Sequence, residues 1–136
     1  MSQFSNVTGM DLRRLSGRKT VDRVLKQGNL WKGKHCSVRY APGAPRNPNI
    51  NPAVSALYVG TVVSGKLDKS AVRRNRMRRR CREALRVALK EHRNLPTLQL
   101  LLAPRSSSLE ADFGEIRADI ESFLAHVSHG TAAIAR

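Results

Sequence analysis

The stretch AVRRNRMRRRCREALR, residues 71–86, carries arginine at seven of the ten positions from 73 to 82. So much charge leaves few ways to fold. At about 100° per residue on a helix, Met77, Cys81, Ala84, Leu85 and Ala88 share one arc, while Asn75, Arg76, Arg79, Arg82 and Arg86 share the opposite one. Arg73, Arg78 and Arg80 lie on the flanks. The pattern predicts one helix from Ala71 to about His92, with Ser70 as its N-cap and with Pro96 closing it by pushing Leu95 out of the α region. Its apolar arc has to be buried against a sheet. Its outer arc needs an anionic partner, because like charges on adjacent turns cost a few tenths of a kcal/mol per pair.

Asn75 interrupts the charged arc. Its amide both donates and accepts, so it can meet a base edge, a sugar hydroxyl or a metal-bound water without adding charge. Arg74 falls nearer the apolar arc at the helix start, where its side chain is expected to turn back along the preceding loop.

The whole chain shares this bias. Its 136 residues suit a single domain with one modest core. Lys and Arg total 25 against 10 Asp and Glu, a net charge of +15 with a pI near 11.4, which draws in polyanions. A membrane-surface helix favours Lys with Trp, Phe or Leu opposite, but this chain has 18 Arg, 7 Lys and one Trp. The guanidinium fork fits phosphate oxygens in pairs, so nucleic acid is the expected partner and membrane is not. Residues 1–109 hold 23 basic and 5 acidic side chains, whereas residues 110–136 hold 2 and 5. The C-terminal segment is therefore expected outside the binding surface. Cys36 and Cys81 lack CxxC spacing and no secretory signal opens the chain, which predicts free thiols and a cytoplasmic protein. The apolar run at 98–103 is far short of the roughly 20 residues that a membrane helix requires.

Around the arginine helix the pattern alternates between helix and strand. Residues 1–11 and 128–136 are expected to be flexible tails. LRRLSGRKTVDRVLKQG (12–28) predicts a short helix through Val21, Val24 and Leu25 that stops at Gly28. Leu30 and Trp31 are assigned to a short strand, and HCSVRYA puts Cys36, Val38 and Tyr40 on one face of the next. The proline-rich stretch 41–53 is a loop. AVSALYVGTVVS is a strand through Val54, Ala56, Tyr58 and Val59 to Val63, and SGKLDKS is a polar turn. TLQLLLA (97–103) suits a buried strand in length, although periodicity alone leaves helix open. Leu109, Phe113, Ile116, Ile120, Leu124 and Val127 then form an amphipathic stripe, with Ser107 and Glu110 as the expected capping box.

The order VGTVVSGK (59–66), a polar turn, AVRRNRMRR (71–79) and REALR resembles the protein subunit of bacterial ribonuclease P, whose V-G-x-x-V-S strand runs into a helix headed by R-N-R, here Arg74, Asn75 and Arg76. The resemblance extends from about Leu12 to Leu124. It implies an α+β single domain in the order α-β-β-(β)-α-β-α, like the second domain of ribosomal protein S5, with helices packed on a central sheet and a left-handed βαβ crossover. It also implies 5′ maturation of precursor tRNA, in which a catalytic RNA with Mg²⁺ cleaves the phosphodiester and the protein supplies binding. On that basis Arg73, Arg74, Asn75, Arg76, Arg79, Arg80 and Arg82, with Lys66 and Lys69, would bind the RNA subunit. Val21, Leu25, Tyr40 and Tyr58 would form the cleft for the 5′ leader. Two departures from the family pattern stand out: Val21 and Leu25 stand where aromatic residues are common, and Gly65 and Lys66 replace a usual pair of lysines.

No catalytic residue is expected in the chain itself. The ten carboxylates form no tight cluster of the kind two metals require, and there is no HExxH or P-loop motif. His126 and His129 share a helix face without further ligands, and His35 and Cys36 point to opposite faces of a strand. Mg²⁺ is therefore expected mainly on the RNA subunit, with Asn75 as a candidate acceptor for a hydrated ion. No obligate protein partner is expected. A ribosomal or other structural RNA binder is the alternative that charge does not separate. A basic DNA-binding helix is disfavoured, because no dimerising heptads follow residue 83.

Overall fold

The computed structural model describes residues 11–46, 50, 55–92 and 95–134, without side chains beyond Ser128. Residues 1–10 of the expected N-terminal tail, the strand position Val54, residues 47–49 and 51–53 of the proline-rich loop and the side chain of His129 lie outside them.

Among the described residues ten elements follow one another: β1 (Asp11–Arg14), α1 (Arg18–Gln27), β2 (Asn29–Lys32), β3 (Cys36–Pro42), β4 (Ala56–Thr61), α2 (Ala71–Ala88), a 3₁₀ turn (Leu89–Glu91), β5 (Leu98–Pro104), a second 3₁₀ turn (Ser106–Leu109) and α3 (Phe113–Ile134). The strands form one mixed sheet in the order β1-β4-β5-β3-β2. β4 and β5 are parallel neighbours, with Leu57 opposite Leu98 and Val59 opposite Leu100, and α2 makes the crossover between them. Both strands are almost wholly buried. Burial on both faces explains why TLQLLLA reads as a continuous apolar run instead of an alternation.

α2 and α3 cover one face of the sheet. Cys36, Val38, Leu57, Val59, Leu98, Leu100 and Leu102 meet Cys81, Ala84, Leu85 and Ala88 of α2 and Ile116, Ile120, Phe123, Leu124 and Val127 of α3. Both cysteines are free. The Cys36 thiol is pushed well up by its hydrogen bond to Cys81 and by burial, and the Cys81 thiol is held down chiefly by that same bond. α1 covers the other face over a smaller cluster of Leu15, Val24, Ala56, Tyr58 and Leu101.

Several expectations need correction. α1 starts at Arg18, and the residues before it form β1, which runs parallel to β4 with Arg13 opposite Tyr58. β1 is an edge strand with three exposed residues of four, so it leaves no alternation to read. The expected capping box does not form. Ser107 belongs to the second 3₁₀ turn, and its hydroxyl lies 2.8 Å from His35 Nδ1, while α3 begins only at Phe113, with the Asp112 carbonyl accepting from Glu115 at 2.9 Å. Phe113 is 36% exposed, so the buried stripe starts at Ile116 and takes in Phe123, which the expected stripe omitted. α3 also continues to Ile134, through most of the segment expected to be a tail.

One acidic residue of α3 fixes the β2–β3 hairpin. The Asp119 carboxylate accepts from the backbone N–H groups of Lys34, His35 and Cys36 at 3.0, 2.7 and 3.1 Å, bonds of the stronger, charge-assisted kind. Gly33 is needed at this turn, because a Cβ there would lie 2.6 Å from the Cys36 carbonyl oxygen and 2.7 Å from the Trp31 ring.

Candidate nucleic-acid interface

α2 is positioned at its start by a small hydrogen-bonded turn. Ser70 caps it, its hydroxyl accepting from Arg73 N at 3.3 Å, and Asp68 Oδ1 accepts from Ser70 N at 2.9 Å. Arg74 turns back as expected, donating through Nη1 to the carbonyls of Asp68 at 2.9 Å and Lys69 at 3.3 Å. Lys66 and Lys69 remain exposed on the same turn.

Beyond this start the two arcs separate as the spacing predicts. Met77 is 1% exposed and Cys81 fully buried, whereas Arg73, Asn75, Arg76, Arg79 and Arg82 are exposed. Among the described residues, Arg76, Arg79 and Arg82 have no carboxylate partner, and Arg73 has only Asp68 at 3.7 Å. The arc ends at Arg86, whose guanidinium binds Glu83 at 2.9 Å. The hydrogen bond from Arg86 holds the Glu83 carboxyl below its usual range.

Arg80 has a different task from the one expected. Its guanidinium donates to the carbonyls of Ser108 at 2.7 Å and Leu109 at 2.9 Å, and also to that of Ala111. It ties α2 to the second 3₁₀ turn, so its donors are occupied within the protein. A flank position on the helix gave no sign of this, because the acceptors come from a segment about thirty residues further on.

A cleft of about 380 Å³ opens where β1 and β4 end, between α1 and α2. Leu15, Val21 and Gly60 line it together with three guanidinium side chains, Arg14, Arg78 and Arg82. Gly60 makes the floor close: a Cβ there would sit 3.0 Å from Leu101 Cδ2 and 3.4 Å from the Leu15 carbonyl oxygen. Of the expected cleft residues, Val21 lines it. Tyr58 is buried beneath α1 at 2% exposure, where its ring offers no free stacking face. Leu25 is 38% exposed on α1 and is not part of the lining. Tyr40 lies on the opposite face of the sheet: its ring packs edge-on against Phe123 at 5.4 Å, and its hydroxyl is 3.3 Å from His126 Nε2. Alternation along β3 grouped Tyr40 correctly with Cys36 and Val38, but it could not tell which helix that face meets. Arg14 and Arg78 were missed as cleft residues because three separated segments build the cleft.

The Asn75 side chain is also engaged. Its Oδ1 accepts from Arg78 Nη1, so the oxygen expected to meet a metal-bound water already holds a guanidinium on one of its two lone pairs. Among the described residues no group of three or more His, Cys, Asp or Glu side chains is placed to hold a metal ion, and no helix is long and apolar enough to cross a membrane.

Comparison with known proteins agrees across sequence and structure. The family model described as Ribonuclease P matches residues 10–128. A ribonuclease P protein component from Thermus oshimai is 36% identical over 85% of this chain and 65% of its own length, and one from Parasynechococcus marenigrum is 28% identical over 86% of this chain and 94% of its own. The chain spans only 58 to 65% of the length of the Thermus relatives. Among solved structures, the RNase P protein of Thermotoga maritima superposes with a TM-score of 0.63 at 21% identity, covering 85% of this chain and 97% of that one. The Staphylococcus aureus RNase P protein gives 0.60 at 22% identity, covering 87% and 94%. The fold is shared.

Proposed function

The chain belongs to the ribonuclease P protein family, and we propose that it acts as the protein component of that ribonucleoprotein, supporting 5′ maturation of precursor tRNA in the bacterial cytoplasm. The observation that carries this reading is the division of α2, with Met77 and Cys81 buried while Arg76, Arg79 and Arg82 face outward without carboxylate partners. Arg73, Arg76 and Arg79, with Lys66 and Lys69, bind phosphates of the catalytic RNA. Arg74 shapes the turn that presents them. The cleft between α1 and the sheet takes the single-stranded 5′ leader. With Val21 in place of an aromatic residue and three arginines in the lining, it grips the leader backbone more than it stacks bases.

In this reading the cleavage chemistry and its Mg²⁺ belong to the RNA subunit, as the family resemblance implies. What the protein adds is positive charge that substitutes for part of the cation requirement. The test is reconstitution with a bacterial catalytic RNA. The protein should restore cleavage of precursor tRNA at low Mg²⁺ and should cleave nothing by itself. A structural RNA binder would bind the RNA and leave cleavage unchanged. If about six phosphates are neutralised, affinity should fall by ~10³ between 50 and 200 mM salt.

A further inference from the structure

Arg78 separates two recesses. It lines the cleft shared with Arg14 and Arg82, and it also lines a shallower hollow of about 300 Å³ on the outer arc, together with Asn75 and Arg79. Arg78 is half-buried, and the contact that fixes its guanidinium is Nη1 donating to Asn75 Oδ1, one turn back on the same helix. An unrestrained arginine samples many rotamers and loses that freedom on binding, whereas one already held by an acceptor loses less. Asn75 supplies the acceptor without adding a carboxylate that would repel phosphate.

We propose that Asn75 is a positioning residue that acts through Arg78, holding its guanidinium at the cleft mouth so that Arg14, Arg78 and Arg82 converge on the backbone phosphates of one single-stranded RNA segment. This deepens the functional reading given above and rests on it for the identity of the strand. The central asparagine of R-N-R then serves the cleft, while its flanking arginines have other tasks: Arg74 folds back onto the turn and Arg76 faces outward.

A double-mutant cycle in the full-length protein tests this, using binding of a single-stranded RNA of about eight nucleotides, within the span of ordinary single-strand sites. Arg78→Ala should weaken binding about ten-fold and lower the salt slope by ~0.7, the loss of one phosphate contact on a single strand. Asn75→Ala should weaken it about three- to five-fold through lost pre-organisation. In the Arg78→Ala background, Asn75→Ala should change binding by less than about two-fold, because the residue through which it acts is gone. Additive effects of the two substitutions would overturn the proposal, and so would an Asn75→Ala protein that binds like the wild type. Both positions lie off the buried arc, and thermal melting of each variant checks that the fold is retained. Reconstitution with the catalytic RNA, run beside the cycle, keeps the two ideas apart. Failed reconstitution with a non-additive cycle defeats the ribonuclease P reading, whereas successful reconstitution with an additive cycle defeats only the role given to Asn75.

Discussion

The two faces of the sheet are finished differently. Under α2 and α3 the apolar side chains of the sheet and the two helices close on one another, with Phe123 at the centre of an aromatic group formed with Trp31 at 5.6 Å and Tyr40 at 5.4 Å. Under α1 the described residues form a smaller buried cluster of five, and an arginine-lined cleft opens beside it. On this division the closed face should carry most of the stability, and the proposed leader cleft lies on the open one. α2 belongs to both, since its inner arc completes the closed core while Arg78 and Arg82 reach the cleft. Any force applied to its outer arc is carried by well-packed protein, which suits a helix that has to present a rigid charged surface.

The sharpest way to break this comparison is to truncate a packed side chain on each side. Phe123→Ala should lower unfolding free energy by about 3–5 kcal/mol, the usual cost of emptying a buried aromatic site. Val21→Ala, at a half-buried position on the open side, should cost about 1 kcal/mol. Urea denaturation of the two variants decides the matter. Similar losses would mean that the cleft face carries as much of the fold as the closed one.

A second contrast lies within α2, between two adjacent arginines. Arg80→Met leaves the Ser108, Leu109 and Ala111 carbonyls without their donor, and Ser108 is fully buried. The expected loss is about 2 kcal/mol of stability. Arg79→Met should leave stability within about 0.5 kcal/mol and instead weaken binding of the catalytic RNA about ten-fold, the scale of one charge-assisted contact. Denaturation and RNA titration on the same two proteins should give opposite rankings. A common ranking would erase the distinction between anchoring and binding arginines.

This pair also shows how far the sequence could be read. A helix with Met77 and Cys81 inward and Arg76 and Arg79 outward follows from spacing alone, because a 3.6-residue period fixes relative direction. What spacing leaves open is the neighbour that each direction meets. Arg80 sat on a flank like Arg78, yet one meets carbonyls of a distant turn and the other the cleft mouth. Tyr40 was grouped on the correct face of β3 and assigned to the wrong side of the sheet for the same reason. β1 escaped notice because an exposed edge strand of four residues carries its identity in its pairing with β4, which no local pattern encodes. The start of α3 was misplaced because Ser107 and Glu110 have capping-box spacing, but Ser107 is engaged by His35 and the Arg80 guanidinium holds carbonyls of the same turn.

The smallest expected effect comes from adding a single methyl group at Gly60. On the closed face an extra methyl has nowhere to go, and overpacking typically costs about 1–3 kcal/mol. At Gly60 the nearest atom to a new Cβ is Leu101 Cδ2 at 3.0 Å, the mobile end of a side chain, followed by the Leu15 carbonyl oxygen at 3.4 Å. Leu101 can swing by a few tenths of an ångström toward the open cleft, and replacing glycine within a strand recovers some backbone entropy. Gly60→Ala should therefore shift stability by less than about 1 kcal/mol in either direction while raising the cleft floor, and short single-stranded RNA should bind about two- to three-fold more weakly, the scale of a contact or two lost at the floor. Thermal melting and oligonucleotide titration report the two quantities separately. A loss of several kcal/mol would show that the cleft floor is packed as tightly as the closed core, and the contrast between the faces would fail at its most sensitive point.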